Sequence, residues 1–289
     1  MNTLKKILTA ITFSSMCVAF TVSATPIVTD WDFIVDTAFT SSELTGGGGS
    51  AVGSDYNAYW TAEEGGDTPT TLTWGHVSDT DEQSSISVAD GGTGHTEGTL
   101  MTNGIAMHTA TLEHNNNAIS TSFDTLMDAT LSTHLFLNPL LPAVPYAGVP
   151  IFGTPALHFD IQFTETFNGG TCAVDTSPTP CNDIFVIDLI GGAGGTTFDP
   201  STNTFNQIFP LFEYHYNAQI IVEGLDTLSD PVCAAAGAAS GCIGITTAEN
   251  VLNSFEVKLR ISLVPEPSVI LLMALALIGI FASMRNKHI

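Results

Sequence analysis

Two stretches of strict alternation limit what this chain can fold into more than anything else in it. In the first, Leu157, Phe159, Ile161 and Phe163 alternate with His158, Asp160, Gln162 and Thr164. In the second, Phe255, Val257, Leu259, Ile261 and Leu263 alternate with Glu256, Lys258, Arg260 and Ser262. Successive side chains of an extended backbone point to opposite faces, so a period of two describes strands with one face buried. Further strand candidates lie near 27–39, 71–75, 84–89, 99–113, 129–137, 183–190 and 211–224, several of them more fully apolar. Turn formers cluster between them: Gly46-Gly47-Gly48-Gly49, Asp90-Gly91-Gly92, Asn115-Asn116-Asn117 and Gly191-Gly192. Only Phe123, Leu126, Met127 and Leu131 carry helical spacing. Many strands with almost no helix predict an all-β chain, a β-sandwich or jelly-roll-like core.

Charge narrows the function classes. The 289 residues hold 29 Asp and Glu against 6 Lys and Arg, a formal net charge of −23. Nucleic acid phosphates are bound through clustered cations, so nucleic acid is excluded as a partner. The apolar content of 44% is too high for a disordered acidic chain.

Both ends read as address labels. Lys5 and Lys6 precede an apolar run from Ile7 to Val22, and Val22-Ser23-Ala24 offers the small residues that signal peptidase accepts; residues 1–24 are expected to be a signal peptide. At the other end, Val264, Pro265, Glu266 and Pro267 precede Val269–Met284, 16 residues without a charge, and then a basic tail with Arg285 and Lys287. As a helix that run spans roughly 24 Å, short of the ~30 Å hydrocarbon core. The order of motif, short transmembrane helix and basic tail resembles the PEP-CTERM sorting signal of Gram-negative bacteria. The resemblance implies processing by an exosortase, passage through an inner-membrane intermediate, and a producer that makes exopolysaccharide. The expected organisation is then a signal peptide (1–24), one β-sandwich domain (25–263) and a sorting signal (264–289).

With both ends removed, 28 acids face only Lys258 and Arg260. Such self-repulsion reads either as adaptation to salty water or as divalent-cation binding. Four cysteines remain in this exported core. Cys172 and Cys181 are separated by eight residues, as are Cys233 and Cys242. Of the three pairings available, the two local ones cost least loop closure and predict two disulfides, each worth roughly 2.5–3 kcal/mol. Both are expected at the tips of connections, one joining 156–165 to 183–190 and the other joining 211–224 to 254–264.

Six short strings in the core resemble the THxN family of PEP-CTERM proteins. They are Leu72-Thr73-Trp74-Gly75, Gln83-Ser84-Ser85-Ile86, His114-Asn115-Asn116-Asn117, Phe163-Thr164-Glu165-Thr166-Phe167-Asn168, Cys181-Asn182-Asp183-Ile184-Phe185 and Gly241-Cys242-Ile243-Gly244-Ile245-Thr246-Thr247-Ala248-Glu249-Asn250. At the naming motif, Glu113 stands where the family has Thr, whereas His114, Asn115 and Asn116 are in place. The resemblance implies an exported surface or matrix protein and supplies no reaction.

The residues themselves supply little catalytic chemistry. A Gly-x-Ser-x-Gly elbow, a His-Glu-x-x-His pair and a Walker A loop are all absent. His108 and His114 would share one face of a continuous strand; the competing reading makes the His-Asn-Asn-Asn string a turn. Asp79, Asp81 and Glu82, three acids within four residues, are either calcium ligands or a solvated acidic loop. Tyr56, Tyr59 and Trp60, with Trp31 and Trp74 in the same third of the chain, are either a sugar platform or core. The sequence thus leads to a non-enzymatic, exported structural or interaction protein of the cell envelope or extracellular matrix, without a required cofactor. The alternatives are a polysaccharide- or calcium-binding module and, after those, a secreted hydrolase.

Overall fold

A computed structural model describes residues 26–47, 49–57, 68–76, 83–89, 93–142, 152–153, 157–166, 171–172, 181–190 and 196–265. The expected signal peptide and nearly all of the sorting segment therefore lie outside the described residues, as do Asp79, Asp81, Glu82, Tyr59 and Trp60. Among the described residues, no helix is long and apolar enough to cross a membrane.

The strands are β1 (Asp30–Leu44), β2 (Val52–Asn57), β3 (Thr68–Gly75), β4 (Gln83–Val88), β5 (His95–Met101), β6 (Met107–Asn116), β7 (Leu126–Leu141), β8 (Phe152–Gly153), β9 (Leu157–Thr164), β10 (Asp183–Ile190), β11 (Thr197–Asp199), β12 (Thr204–Leu211), β13 (Tyr214–Val222), β14 (Asp226–Thr227), β15 (Ile243–Thr247) and β16 (Val251–Leu263). They form two antiparallel sheets. One runs β14-β15-β10-β9-β7-β1-β5, with β8 also on β7; the other runs β11-β12-β13-β16-β6-β4-β3-β2. The alternating residues of β9 and β16 face the gap between the sheets, where Phe159 of one sheet meets Phe205 of the other at 5.2 Å. The expected all-β sandwich is the observed fold.

Four details differ from the sequence reading, each for a local reason. Of the residues with helical spacing, Phe123 lies in the turn before β7 and Leu126, Met127 and Leu131 lie in β7: the strand carries an extra residue at Met127 opposite the end of β1, and this bulge sets the inward-facing Leu126 and Ala129 three apart. The stretch 99–113 is two strands in different sheets. The chain leaves β5 through a turn at Asn103, in the left-handed region at φ 60°, and enters β6 in the opposite layer.

The third difference also involves a bulge. Val257 pairs with Ala110 but Lys258 with His108, so Thr109 is an extra residue in β6 and the facing alternation reverses there. His108 consequently points outward, bonded to Thr111 Oγ1 at 2.9 Å, whereas His114 points inward at 1% exposure. In the string His114-Asn115-Asn116-Asn117 the first three residues are the end of β6, not a turn, and Asn117 follows the strand.

The fourth concerns the cysteines. Both expected disulfides are present, Cys172–Cys181 and Cys233–Cys242. The first lies in the β9–β10 connection as anticipated. Although β13 and β16 do pair, the chain between them crosses to the other sheet. It forms β14, the short helix α1 (Asp230–Ala235) and β15, and the second disulfide ties α1 to the start of β15. Val232 of α1 covers Ile184 and Val186 on the outer face of β10. That cover explains why Ile184-Phe185-Val186 is a continuous apolar run: both faces of β10 are buried.

Candidate functional site

Antiparallel register builds the site. Ile184 pairs with Thr164, so the next residues along, Asp183 and Glu165, are brought face to face at the end of the β9–β10 ladder. The connection beyond them is closed by Cys172–Cys181 and by Thr166, whose Oγ1 donates to the carbonyls of Cys181 and Asn182, each at 3.1 Å. The Thr166 amide donates to Asp183 Oδ1 at 2.8 Å. On the other side Asp183 pairs with Thr247, the last residue of β15, and the turn that follows carries Glu249.

Two asparagines hold that turn. Asn253 donates to the Ala248 carbonyl and accepts from the Ala248 amide, both at 2.9 Å. Asn116, from the opposite sheet, donates through Nδ2 to the carbonyls of Thr247 and Ala248 at 3.4 and 3.3 Å.

Each of Glu165, Asp183 and Glu249 can place one carboxylate oxygen so that all three lie within 4.8 Å of one another. Asp183 is fully buried and Glu249 is 8% exposed. Burial pushes the Glu165 carboxyl up to about 9, and the neighbouring Asp183 and Glu249 push the same way; the Ile119 amide opposes them. Asp183 is raised to about 7, again chiefly by burial, with Glu249 adding to it and the Thr166 amide opposing it. Of the two bases between the address labels, Lys258 is paired with Glu256, and Arg260 donates to the neutral Gln219 through Nε at 2.9 Å. Such a cluster can lower its own repulsion in two ways, by keeping protons or by taking up a cation.

An aromatic cage adjoins it. His114 stacks on Trp74 at 5.6 Å and meets Phe185 and Phe163 edge-on at 4.9 and 5.6 Å. Burial lowers the His114 imidazole to about 3, so the ring is neutral, and neither of its nitrogens has a hydrogen-bond partner. All six strings singled out in the sequence contribute to this end of the sandwich; Gln83 and Ser84 do so by bonding Asn117.

Of the residues expected to act, His114 and Asn116 are at the site, Glu113 and Asn115 point away from it, and Trp31 and Trp74 are core. Tyr56 is exposed at the β2 edge. Sequence reasoning missed the acids Glu165, Asp183 and Glu249 as a group. The usable signal was the hairpin itself, since 157–164 and 183–190 were legible as partners and an acid stands at the inner end of each.

Residues 263–286 match the PEP-CTERM protein-sorting motif. The chain is thereby marked for export and exosortase-mediated sorting at the membrane. Val264, Pro265, Glu266, Pro267 and Arg285 lie within the matched segment, and Lys287 directly follows it. No curated protein matches the chain.

Proposed function

We propose that the protein is a non-enzymatic structural component of the cell envelope or exopolysaccharide matrix of a Gram-negative bacterium, delivered there through its PEP-CTERM tail. The observation that carries this reading is a junction: the sorting motif begins at Leu263, the last residue of β16. The final strand of the sandwich therefore runs straight into the sorting signal, which suits a module presented at the membrane and then released or attached. The six strings that resemble the THxN family, gathered at one end of the sandwich, support assignment to that group of exported proteins. Burial of Trp31 and Trp74 favours a structural role over a sugar platform, and burial of Asp183 and Glu249 favours it over a hydrolase with two acids facing across a cleft.

Mass spectrometry of envelope and matrix fractions tests this reading. With exosortase present, mature chains should start after Ala24 and lack 269–289; in an exosortase-deficient host the tail should persist in the membrane fraction. Peptides through Ile289 in the surface pool of the competent host would overturn it.

A further inference from the structure

The acidic cluster is accompanied by neutral oxygens. Asn116 is fully buried, and its Nδ2 is committed to the Thr247 and Ala248 carbonyls. Its amide lies against the Asp183 carboxyl, and its Oδ1 has no hydrogen-bond partner. Thr247, paired with Asp183, is also fully buried and its Oγ1 has no partner either. Burying an acceptor without a partner is costly, and two such atoms beside three acids call for a ligand that oxygen atoms can share.

The donor set selects its chemistry. Every available donor is an oxygen, the four cysteines are held in disulfides, and His114 is packed among Trp74, Phe163 and Phe185. Zinc favours sulfur and nitrogen, whereas calcium takes six to eight oxygens at 2.3–2.6 Å. Oxygens on opposite sides of calcium stand about 4.6–5.2 Å apart, a span matched by carboxylates that gather within 4.8 Å.

We propose that Glu165, Asp183 and Glu249, together with the side-chain oxygen of Asn116, form a calcium site. Its position gives it a mechanical meaning. Glu165 and Asp183 belong to the β9–β10 hairpin of one sheet, Asn116 ends β6 of the other, and Glu249 lies on the turn by which the chain passes between them. Calcium therefore clamps the two layers together at this end of the sandwich. The clamp closes only after export, where calcium is plentiful and the Cys172–Cys181 disulfide can form.

The test uses protein purified with both disulfides formed, freed of cations by a chelator, and melted in CaCl2, MgCl2 and NaCl at equal ionic strength. Calcium at about a hundred times its Kd should raise Tm by about 5–10 °C beyond NaCl. Asp183→Asn and Glu249→Gln should each abolish that increment, while Asp160→Asn, on an outer face, should retain it. Asp183→Asn removes charge from a self-repelling group and should fold without calcium, so calorimetric titration reads binding separately from stability. The unaltered chain should bind one calcium tightly and the Asp183→Asn chain none at that affinity. An equal shift in NaCl or MgCl2, or a calcium response preserved in both Asp183→Asn and Glu249→Gln, overturns the proposal.

Discussion

Two tryptophans among the described residues are buried, and their surroundings differ as the two ends of the molecule differ. Trp31 is fully buried near one end of β16, with edge contacts to Phe209 at 6.0 Å and Tyr216 at 5.1 Å. Its Nε1 donates to Thr102 Oγ1 at 2.8 Å, Thr102 donates onward to the Val28 carbonyl at 2.7 Å, and the Tyr216 hydroxyl accepts the Val28 amide at 2.9 Å. Trp74, near the other end, is also buried, yet its Nε1 has no partner and its stacking neighbour His114 has none at either nitrogen. The side chains packed on Trp31 satisfy one another. Those around Trp74 include polar groups that folding alone does not satisfy, and these lie beside the three acids. In a native protein such unsatisfied groups mark a functional site more often than a flaw in packing.

The largest test of this contrast removes the closed end. Trp31→Ala should cost about 3–5 kcal/mol in urea unfolding, since it leaves a large cavity among rigid neighbours. A finer comparison substitutes Phe at each tryptophan. Trp31→Phe forfeits the bond to Thr102 and should cost about 1 kcal/mol more than Trp74→Phe, which forfeits none. Equal costs would mean that the two ends do not differ in the way described.

Next comes pH, which should act on one end alone. Glu165 and Asp183 are raised to about 9 and 7, whereas in the unfolded chain both titrate near 4. Between pH 6.5 and 9 the unfolded chain has lost protons that the native chain still holds, so stability falls as pH rises. In chelator-treated protein this loss should be on the order of 3 kcal/mol, and Asp183→Asn should lessen it, while Glu165, raised chiefly by burial, keeps the larger part. His114 has the opposite sign. Held down to about 3, it stays neutral while the unfolded chain protonates near 6.5, so its own contribution is lost as pH falls below that value; down to about pH 4 the two protons kept by Glu165 and Asp183 outweigh that loss. His114→Phe should therefore steepen the gain in stability as pH falls from about 6.5 towards 4, and Trp31→Phe should leave both contributions unchanged. Urea midpoints across this range are the measurement, and a flat profile between pH 6.5 and 9 would refute the assignment of buried acids.

Smaller again is the effect of the disulfide beside the site. Replacing Cys172 and Cys181 with Ala should destabilise by roughly 2.5 kcal/mol through loop entropy. It should also raise hydrogen exchange at Thr166, whose amide bonds Asp183, before exchange rises at Thr102.

How much of this was legible in the sequence depends on whether a feature is local. The alternation of β9 and β16 is local, and it located the two strands that position the site and the tail. The equal cysteine spacings are local, and both pairings follow from them. Bulges are not local: the extra residues Met127 and Thr109 are defined only against β1 and β16, so the first was read as helical spacing and the second as a shared face for His108 and His114. Selecting three of 28 acids is less local still. Density along the chain pointed to Asp79, Asp81 and Glu82, but Glu165, Asp183 and Glu249 converge only once hairpin register and a crossover between sheets have brought them together.

A second acidic trio separates the effect of burial from that of charge. Asp160 and Asp188 stand directly opposite each other across β9 and β10, and Asp128 of β7 is diagonal to Asp160. Partial burial raises the Asp160 carboxyl, with Asp128 and then Asp188 adding to it. Asp188 is exposed and Asp160 half-buried, so water and salt screen this trio as they cannot screen Asp183. Like charges directly opposite on a sheet destabilise it, and an opposite pair contributes about 0.2–1 kcal/mol. Asp188→Lys should therefore stabilise the protein by up to about 1 kcal/mol at low salt. In 1 M NaCl, where the Debye length falls to about 3 Å, most of that gain should vanish. The calcium response should be unaffected, because neither Asp160 nor Asp188 belongs to the cluster of Glu165, Asp183 and Glu249. If Asp188→Lys instead removed the calcium shift, the ion would be held by the outer face of the sheet, and the contrast between a screened surface trio and a buried, unscreened one would fail.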